Sequence, residues 1–361
     1  MLIDGARRAP VLPRTHRRTR RRRPVVVVVV VLGLGLAAAF LALCSGAEVL
    51  PVSTVVDVIA SRFGGPAVTR TQLAIVWDIR MPRILLGLVV GAGLAVAGVL
   101  VQTLVRNALA DPHLLGVSSG AAVGATSVIT TGFLAGFGLW SLSLGAMAGA
   151  LGAALLVFAI TMSQGGITPL RLVLTGTVAA SALSAIASFL VLRTNDSQAA
   201  QSVLFWLLGS LAGASWGKLL LPVSVVVTCT AIAFALHGWL DALSAGPDVA
   251  AAVGVRVPLL RNLLFALLAV MVGTMVAVSG AIAFVGLVIP HIARILVGSR
   301  HRWVLPTSAL IGAVFLVLVD VVARIALRPV EIPLSVVTGV IGAPLFLFIL
   351  GRRRYQFGAA A

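Results

Sequence analysis

A chain of 361 residues with 60% hydrophobic and only 10% charged residues is not an ordinary soluble domain, because such domains carry about 25% charged residues. Its mean hydropathy of +1.13 supports the same exclusion. An α-helix needs about 20 residues to cross the hydrocarbon core, which leaves room for roughly ten spans. The apolar runs are continuous rather than alternating, so we predict an all-α polytopic membrane protein and not a β-barrel.

The first 24 residues form a basic arm. Nine arginines lie in residues 1–23, directly ahead of an apolar run from Val25 to Leu43. We interpret the arm, residues 1–24, as a cytoplasmic anchor beside the first span, in line with the positive-inside rule. The net charge of +17 would also suit a nucleic-acid partner, but no stacking aromatic residues accompany these arginines. We therefore expect a membrane and no nucleic acid as its partner.

A cleaved targeting segment is the alternative interpretation of the same residues. Arg20 to Arg23 imitate a twin-arginine signal, and Leu41 to Cys44 imitate a lipoprotein site. Both matches are imperfect, because Pro24 follows the arginines and the large Leu43 precedes the cysteine. We favour a retained first helix.

Ten apolar windows bounded by charged residues, Pro or Gly are predicted to span the membrane. They cover residues 25–44, 83–105, 114–132, 139–162, 170–192, 217–237, 259–279, 281–298, 304–327 and 333–350. The window 281–298 is short and contains Pro290, His291 and Arg294, so we expect a short or broken helix buried among the others. The membrane domain as a whole is predicted at 25–351, with a cytoplasmic tail at 352–361.

The basic residues are unevenly divided between the two sides of the predicted bundle. With the N-terminus inside, 19 of the 27 Lys and Arg residues fall on the cytoplasmic side, whereas acidic residues divide almost evenly. We therefore predict an even number of spans with both termini cytoplasmic. The eight cations on the opposite side are Arg62, Arg70, Arg80, Arg83, Arg193, Lys218, Arg324 and Arg328.

Motifs for chemistry on this chain are missing from the sequence. It contains no Gly-rich phosphate loop and no His-Glu-x-x-His pair, and Cys44 and Cys229 lack metal-like spacing. We predict no catalytic residues, no metal and no bound cofactor; any ATP and Mg²⁺ would be used by a partner subunit. An ion-coupled carrier would need a titratable relay, for which Asp320 and His291 are the candidates within spans. We expect His291 instead to satisfy backbone groups freed by Pro290.

The longest predicted cytoplasmic connection, residues 238–258, reads as two short helical turns separated by Gly246 and Pro247. A compact, weakly polar segment between membrane helices suits insertion into a groove on a soluble partner. An ordinary surface loop is the alternative. We place this coupling segment at about 240–257.

Several separate motifs, in order along the chain, resemble the FecCD-type permease family of ABC importers. The residues that carry the resemblance are Arg80, Pro82, Arg83, Gly98, Gln102, Arg106, Asn107, Asp111, Pro112, Gly116, Gly280, Phe284, Gly286, Pro290, His291, Arg294, Asp320, Arg324, Glu331, Pro333, Gly339, Gly342 and Pro344. The resemblance covers about residues 30–351. It implies ten helices per subunit in a cobalamin-importer-like type II architecture, a homodimer or heterodimer of permeases, two ABC ATPase subunits and an extracytoplasmic substrate-binding protein.

The resemblance also implies roles for particular residues. Arg80, Arg83 and Arg324 fall where family arginines face outward and pair with glutamates of the binding protein; the alternative is interfacial snorkelling, with Arg324 pairing with Asp320 one turn earlier. The match to the family's coupling helices rests on Gly246, Ala250, Val253 and Gly254, with Asp248 in the same segment, although Pro247 departs from the acidic residue of many members. Helices near 170–192 and 333–350 are expected to line the path, with Thr168 and Pro169 at an inner gate.

The function that follows is expected to be transport without catalysis on this chain. We expect a permease subunit of the cytoplasmic, or inner, membrane that imports a ferric siderophore by alternating access, driven by ATP hydrolysis on separate subunits. Haem and cobalamin are the alternative cargoes within the family, and an ion-coupled secondary transporter is a more distant alternative.

Overall fold

The computed structural model describes residues 15–46, 48–194 and 196–352, and this part of the chain forms fifteen α-helices. The helices are α1 (Thr15–Cys44), α2 (Val52–Ser61), α3 (Arg70–Leu73), α4 (Met81–Val105), α5 (Val117–Thr131), α6 (Ser141–Ser163), α7 (Pro169–Arg193), α8 (Ser197–Leu207), α9 (Leu220–Ala235), α10 (His237–Ala245), α11 (Pro247–Ala252), α12 (Val257–Ser279), α13 (Val285–Val297), α14 (His301–Ile325) and α15 (Leu334–Arg352). A π-helical stretch, Ala74–Arg80, makes α3 and α4 continuous.

All ten predicted spans coincide with helices. Within the described residues, seven helices are long and apolar enough to cross a membrane. The other three windows hold shorter helices: α5 has 15 residues, α13 has 13, and the apolar stretch of α15 is Leu334–Ile349. The prediction of a short, buried helix at 281–298 is confirmed, because seven residues of α13 are buried, Pro290 and His291 among them. The protein is therefore an all-α polytopic membrane protein, as predicted.

Two helices form the centre of the bundle. The most apolar windows of α4 and α12 are 78% and 72% buried, compared with 22% for α7. α4 packs against α9, α12, α13 and α14. Glycines allow the closest approaches, since a Cβ on Gly91 would collide with the backbone of Gly312, and one on Gly98 with the backbone of Gly286. Small residues in membrane helices serve this purpose because they let two backbones touch.

The helices place their ends at two opposite surfaces. The ends of α1 and α14 and the starts of α4 and α15 meet at one surface, which we call the arginine end because Arg80, Arg83 and Arg324 lie there. The end of α4, α10 and the start of α14 meet at the other, which we call the coupling end. α1 ends at the arginine end and α15 begins there. Thr15 and Arg352 therefore belong to the coupling end, as an even number of spans requires.

Two predicted segments fall partly outside the described residues. Residues 1–14 of the basic arm and residues 353–361 of the tail are not among them. Within the described part, α1 begins at Thr15, ten residues before the predicted span, so the helix extends into the arm. Two amphipathic connections, α2 and α8, are helices that the windows of continuous hydrophobicity did not contain.

Candidate functional site: the two ends of the bundle

A cluster of paired charges is buried at the arginine end. The Arg83 guanidinium donates through Nε to Asp320 Oδ1 at 2.9 Å. Its two terminal nitrogens donate to the two carboxylate oxygens of Glu331, both at 2.9 Å, in a bidentate pair. Asp320 also pairs with Arg324, whose Nε lies 2.9 Å from Asp320 Oδ2, one helical turn later on α14. Asp320 thus binds both Arg83 and Arg324, and Glu331 covers Arg83.

Arg80 and Arg324 donate hydrogen bonds to backbone carbonyls at the C-terminus of α1 and just after it. Arg80 donates to the carbonyl of Leu43 at 2.5 Å and to that of Glu48 at 2.6 Å. Arg324 donates to the carbonyl of Ser45 at 2.7 Å. The last turn of α1 carries no basic residue of its own, and its final carbonyls have no partner within the helix. Arginines from α14 and from the π-helical stretch supply the missing donors and complement the negative end of the helix dipole.

The expectation that these three arginines are exposed is wrong. Arg80, Arg83 and Arg324 are only 6%, 7% and 6% exposed, and Asp320 is 2% exposed. A charge in a membrane bundle is costly unless it is paired, so the arginines turn inward to the carboxylates and carbonyls that stabilise them. The predicted pairing of Arg324 with Asp320 is confirmed. Glu331 differs from the other members, because 44% of its side chain remains exposed.

Other cations at the arginine end do reach the surface. Arg62, Arg70, Arg193 and Arg328 are exposed, and Lys218 is half-buried. We call these five residues the rim cations. Arg62 lies over the Trp77 ring, 4.9 Å from its centroid. The exposed positive charge of this end therefore comes from the rim cations and not from the three arginines that the motifs indicated.

At the coupling end, the connection between α9 and α12 contains the two predicted helical turns, α10 and α11. They meet at Gly246, whose φ of 145° and ψ of 152° are readily adopted only by glycine. Gly246 and Ala250 face the protein, whereas Asp248, Val253 and Gly254 are exposed. Val249 is 48% exposed and Val253 67% exposed, one turn apart. α11 therefore presents an apolar, solvent-facing ridge, and Val249 belongs to it although the motif did not single it out.

Three polar side chains join α10 to the membrane helices. Asp241 Oδ1 accepts from the backbone N–H of His301 at 2.9 Å and lies 2.6 Å from its ring Nδ1. The other ring nitrogen, Nε2, lies 2.9 Å from the Thr103 hydroxyl on α4. Partial burial raises the pKa of Asp241, but the hydrogen bonds from His301 outweigh it and leave this pKa below its ordinary value. The carboxylate is therefore ionised at neutral pH. None of these three residues was predicted, because 60 residues separate Asp241 from His301.

The predicted inner gate lies in the turn between α6 and α7, at the coupling end. Thr168 is the N-cap of α7, its hydroxyl accepting from the N–H of Arg171 at 3.4 Å, and Pro169 is the first helical residue. Arg261 of α12 donates to the carbonyl of Ile167 at 3.2 Å and fixes the turn. Thr168 and Pro169 thus have an ordinary role in starting a helix. Their role as a gate stays a prediction.

A row of hydroxyl groups runs along the exposed face of α7, in the predicted path helix. Thr177, Ser181, Ser184 and Ser188 are all exposed and recur at intervals of three or four residues, which places them on one helix face. Ser184 and Ser188 also line a cleft of about 330 Å³ between α5, α7 and α8. Three of the hydroxyls donate to carbonyls one turn earlier. This row of hydroxyl groups carries no charge, and exposed apolar side chains such as Val178 and Phe189 flank it.

Known membrane transport proteins resemble this chain over most of its length. Residues 24–352 match the model of the FecCD transport family. The chain is 40% identical to the cobalamin import system permease protein BtuC of Halobacterium salinarum, over 86% of this chain and 82% of the relative. It is also 40% identical to the ferric enterobactin transport system permease protein FepD of Escherichia coli, over 90% of this chain and 94% of the relative. Other relatives are named as hemin and molybdate permeases.

A solved structure shows the same fold. It is described as an inward-facing conformation of a metal-chelate type ABC transporter, and it superposes with a TM-score of 0.79 at 36% identity. The match covers 91% of this chain and 99% of that one.

Proposed function

The chain belongs to the FecCD transport family and is a permease of a binding-protein-dependent ABC importer, and on this premise we propose that its cargo is a ferric siderophore. Its relatives are transport components, and in such importers ATP hydrolysis takes place on partner subunits. Because the chain belongs to this family, we no longer interpret it as an ion-coupled secondary transporter. Cobalamin and haem are the alternative cargoes, because relatives with those names match the chain about equally well.

The observation that supports a bulky chelate as cargo is the uncharged hydroxyl face of α7. A permeation path must hold its cargo weakly enough to release it. Hydroxyl groups at Thr177, Ser181, Ser184 and Ser188 can hydrate the polar rim of a chelate without binding it as an ion pair would. In this proposal the face lines a path between two permease subunits, with α15 beside it.

Alternating access requires a motor, and we propose that the apolar ridge of α11 is where it attaches. Val249 and Val253 would insert into a groove of an ABC ATPase, while the buried Gly246 and Ala250 keep α11 against the bundle. ATP and Mg²⁺ are used in that partner. The coupling end then faces the cytoplasm, both termini are cytoplasmic, and the membrane is the cytoplasmic, or inner, membrane. The basic residues of this end, which follow the positive-inside rule, support the orientation.

We propose that the arginine end receives the binding protein and that Arg83 is its principal docking group. Arg80 and Arg324 belong to the same proposal, but their guanidinium groups already cap α1. Arg83 is covered by Glu331, the half-exposed member of the cluster. A carboxylate from the binding protein would therefore have to displace Glu331 before it could pair with Arg83.

Binding measurements on the reconstituted permease test this docking proposal. Glu331→Gln should tighten the binding protein's affinity, because the neutral amide competes less well for Arg83 than a carboxylate does. Arg83→Gln should weaken it. If both variants bind like the wild type while remaining folded, Arg83 has only a structural role.

Uptake in cells that lack this chain tests the cargo. Complementation with the wild-type gene should restore uptake of labelled ferric siderophore and leave uptake of labelled cobalamin and haem unchanged. A matched strain carrying a catalytically inactive partner ATPase should show no restored uptake of ferric siderophore. If uptake of cobalamin or haem were restored and uptake of ferric siderophore were not, the proposed cargo would be wrong, while membership of the family would be unaffected.

A further inference from the structure

A polar contact links the proposed motor attachment to the helices at the centre of the bundle. α10 leads directly into α11 through the Gly246 corner and packs against it, so a force applied to α11 is passed to α10. α10 packs on α4, α9 and α14, with the buried apolar side chains of Leu240 and Leu243. Apolar contacts are not directional and allow sliding. Hydrogen bonds fix a position, and Asp241 supplies them.

We propose that Asp241, His301 and Thr103 form a transmission contact that passes movement of α10 and α11 to α4 and α14. His301 is the first residue of α14, and Asp241 holds both its backbone N–H and its ring. The ring's opposite nitrogen meets Thr103, two residues before the end of α4. His301 and Thr103 are each only 3% exposed, so solvent does not loosen the pair. The three residues are positioning residues and touch neither ATP nor cargo.

The contact extends to a third helix through the neighbouring residue on α4. Gln102 accepts from Arg294 of α13 at 2.5 Å. It also donates to the carbonyl of Leu287 at 3.2 Å. The last turn of α4 therefore contacts α13 through Gln102 and α14 through Thr103, and His301 of α14 connects it in turn to Asp241 of α10. A displacement of α10 would move three packed helices together, because the glycine contacts between α4, α13 and α14 leave no room for independent sliding.

The inference rests on the proposed role of α11 and needs a readout that does not depend on the cargo. Ser181, on the exposed hydroxyl face of α7, can be replaced by cysteine in a background in which Cys44 and Cys229 are changed to alanine. The full permease is assembled with its ATPase in lipid nanodiscs. The rate of maleimide labelling at position 181 is then measured without nucleotide and after trapping with ATP and vanadate, alongside the rate of ATP hydrolysis.

Thr103→Val is the decisive variant, because it removes one hydroxyl and keeps the shape of the side chain. We expect the ATPase to bind and hydrolyse ATP as before, while the nucleotide-dependent change in labelling shrinks by about fivefold or more, the lower range for a coupling contact. Thr103→Ser should restore the change. Asp241→Ala should act like Thr103→Val, whereas Asp241→Asn, which keeps an acceptor oxygen, should retain most of it.

Two controls separate transmission from folding. Thr307→Val removes a buried hydroxyl on the same helix, α14, and this hydroxyl has no hydrogen-bond partner among the described residues. It should leave the labelling change intact. The double variant Thr103→Val with Asp241→Ala should be no worse than either single one, because members of one chain of contacts are not additive.

The outcomes distinguish the inference from the function on which it rests. A responsive wild type with an equally responsive Thr103→Val variant would overturn the transmission contact alone. If the labelling rate at position 181 in the wild-type complex did not change with ATP, the proposed roles of α11 and α7 would be overturned. The transmission contact would then be overturned with them. A loss of ATPase binding in Thr103→Val, but not in Thr307→Val, would also overturn it, since the contact would then only shape the attachment site.

Discussion

Asp320 is the residue on which the charged cluster depends. It is buried between Arg83 and Arg324 and accepts from both at 2.9 Å. Glu331 contributes the same chemistry from a half-exposed position. Two carboxylates of one cluster thus have different importance for stability, because burial decides how much an unpaired charge costs.

Asp320→Ala should therefore destabilise the protein far more than Glu331→Ala. We expect Asp320→Ala to cost about 3–5 kcal/mol, as for the loss of one partner from a buried ion pair. Glu331→Ala should cost about 1 kcal/mol or less, because Arg83 keeps Asp320 and water can replace the exposed carboxylate. Thermal unfolding of both variants in the same detergent measures the difference. Equal losses would mean that the cluster is solvated from the outside.

At the scale of helices, the glycine contacts decide how the bundle packs. Gly91 of α4 lies against Gly312 of α14, and Gly98 of α4 against Gly286 of α13. Residues 273–280 resemble residues 91–98 in sequence, but Gly273 faces the Ala150 side chain of α6 and not a second glycine. The glycines of α4 therefore serve close helix packing.

Gly98→Ala should separate α4 from α13. The added methyl group would collide with the backbone of Gly286, and such overpacking costs about 1–3 kcal/mol. Gly152→Ala on α6 is the matched control, because nothing lies within 4 Å of its Cβ position. It should be neutral or stabilise the helix by about 0.5–1 kcal/mol. Unfolding midpoints of the two variants test the prediction, and a destabilised Gly152→Ala would contradict it.

The fold was predictable to the level of ten helices but not to the level of contacts. Continuous apolar runs identify the spans without knowledge of their neighbours, and even the short α13 was indicated by Pro290. The partners of Arg83 could not be found in this way, because Asp320 is 237 residues distant. A motif showed that Arg83 matters, but only the packed bundle shows that it faces inward. Asp241 lies in the predicted coupling segment but no pattern distinguishes it there, and His301 lies in no motif, so only their contact identifies them.

At the scale of the whole molecule, the two ends are chemically different. The coupling end offers an apolar ridge with Val249 and Val253, and the arginine end offers exposed charges of both signs around a buried cluster of arginines and carboxylates. A permease that joins an ATPase on one side and a binding protein on the other needs two such distinct surfaces. The Gly246 corner places the ridge outward, and the capping of α1 by arginines from other helices fixes the opposite end.

A charged residue on the apolar ridge of α11 should weaken binding of the partner ATPase. Val253→Glu places a carboxylate where the proposed contact excludes water, so we expect copurification of the ATPase to fall by about tenfold or more, as for a desolvated charge left unpaired at an interface. Ser244→Glu adds the same charge to an exposed position of α10 and should have little effect. Pull-down of the ATPase with each tagged permease measures this. Equal retention in both variants would show that the ridge is not the contact.

The inward orientation of the three arginines has a consequence for the kinetics of association. A partner that diffuses toward this end meets the rim cations together with the exposed carboxylates of Glu48, Asp78 and Asp196. Ions in solution screen these charges over about 8 Å at physiological ionic strength. The pairing of Arg83 lies beneath that layer and is shielded from salt by burial. Because the exposed charges have both signs, added salt should change the rate of encounter only modestly and should leave the lifetime of the docked complex nearly unchanged.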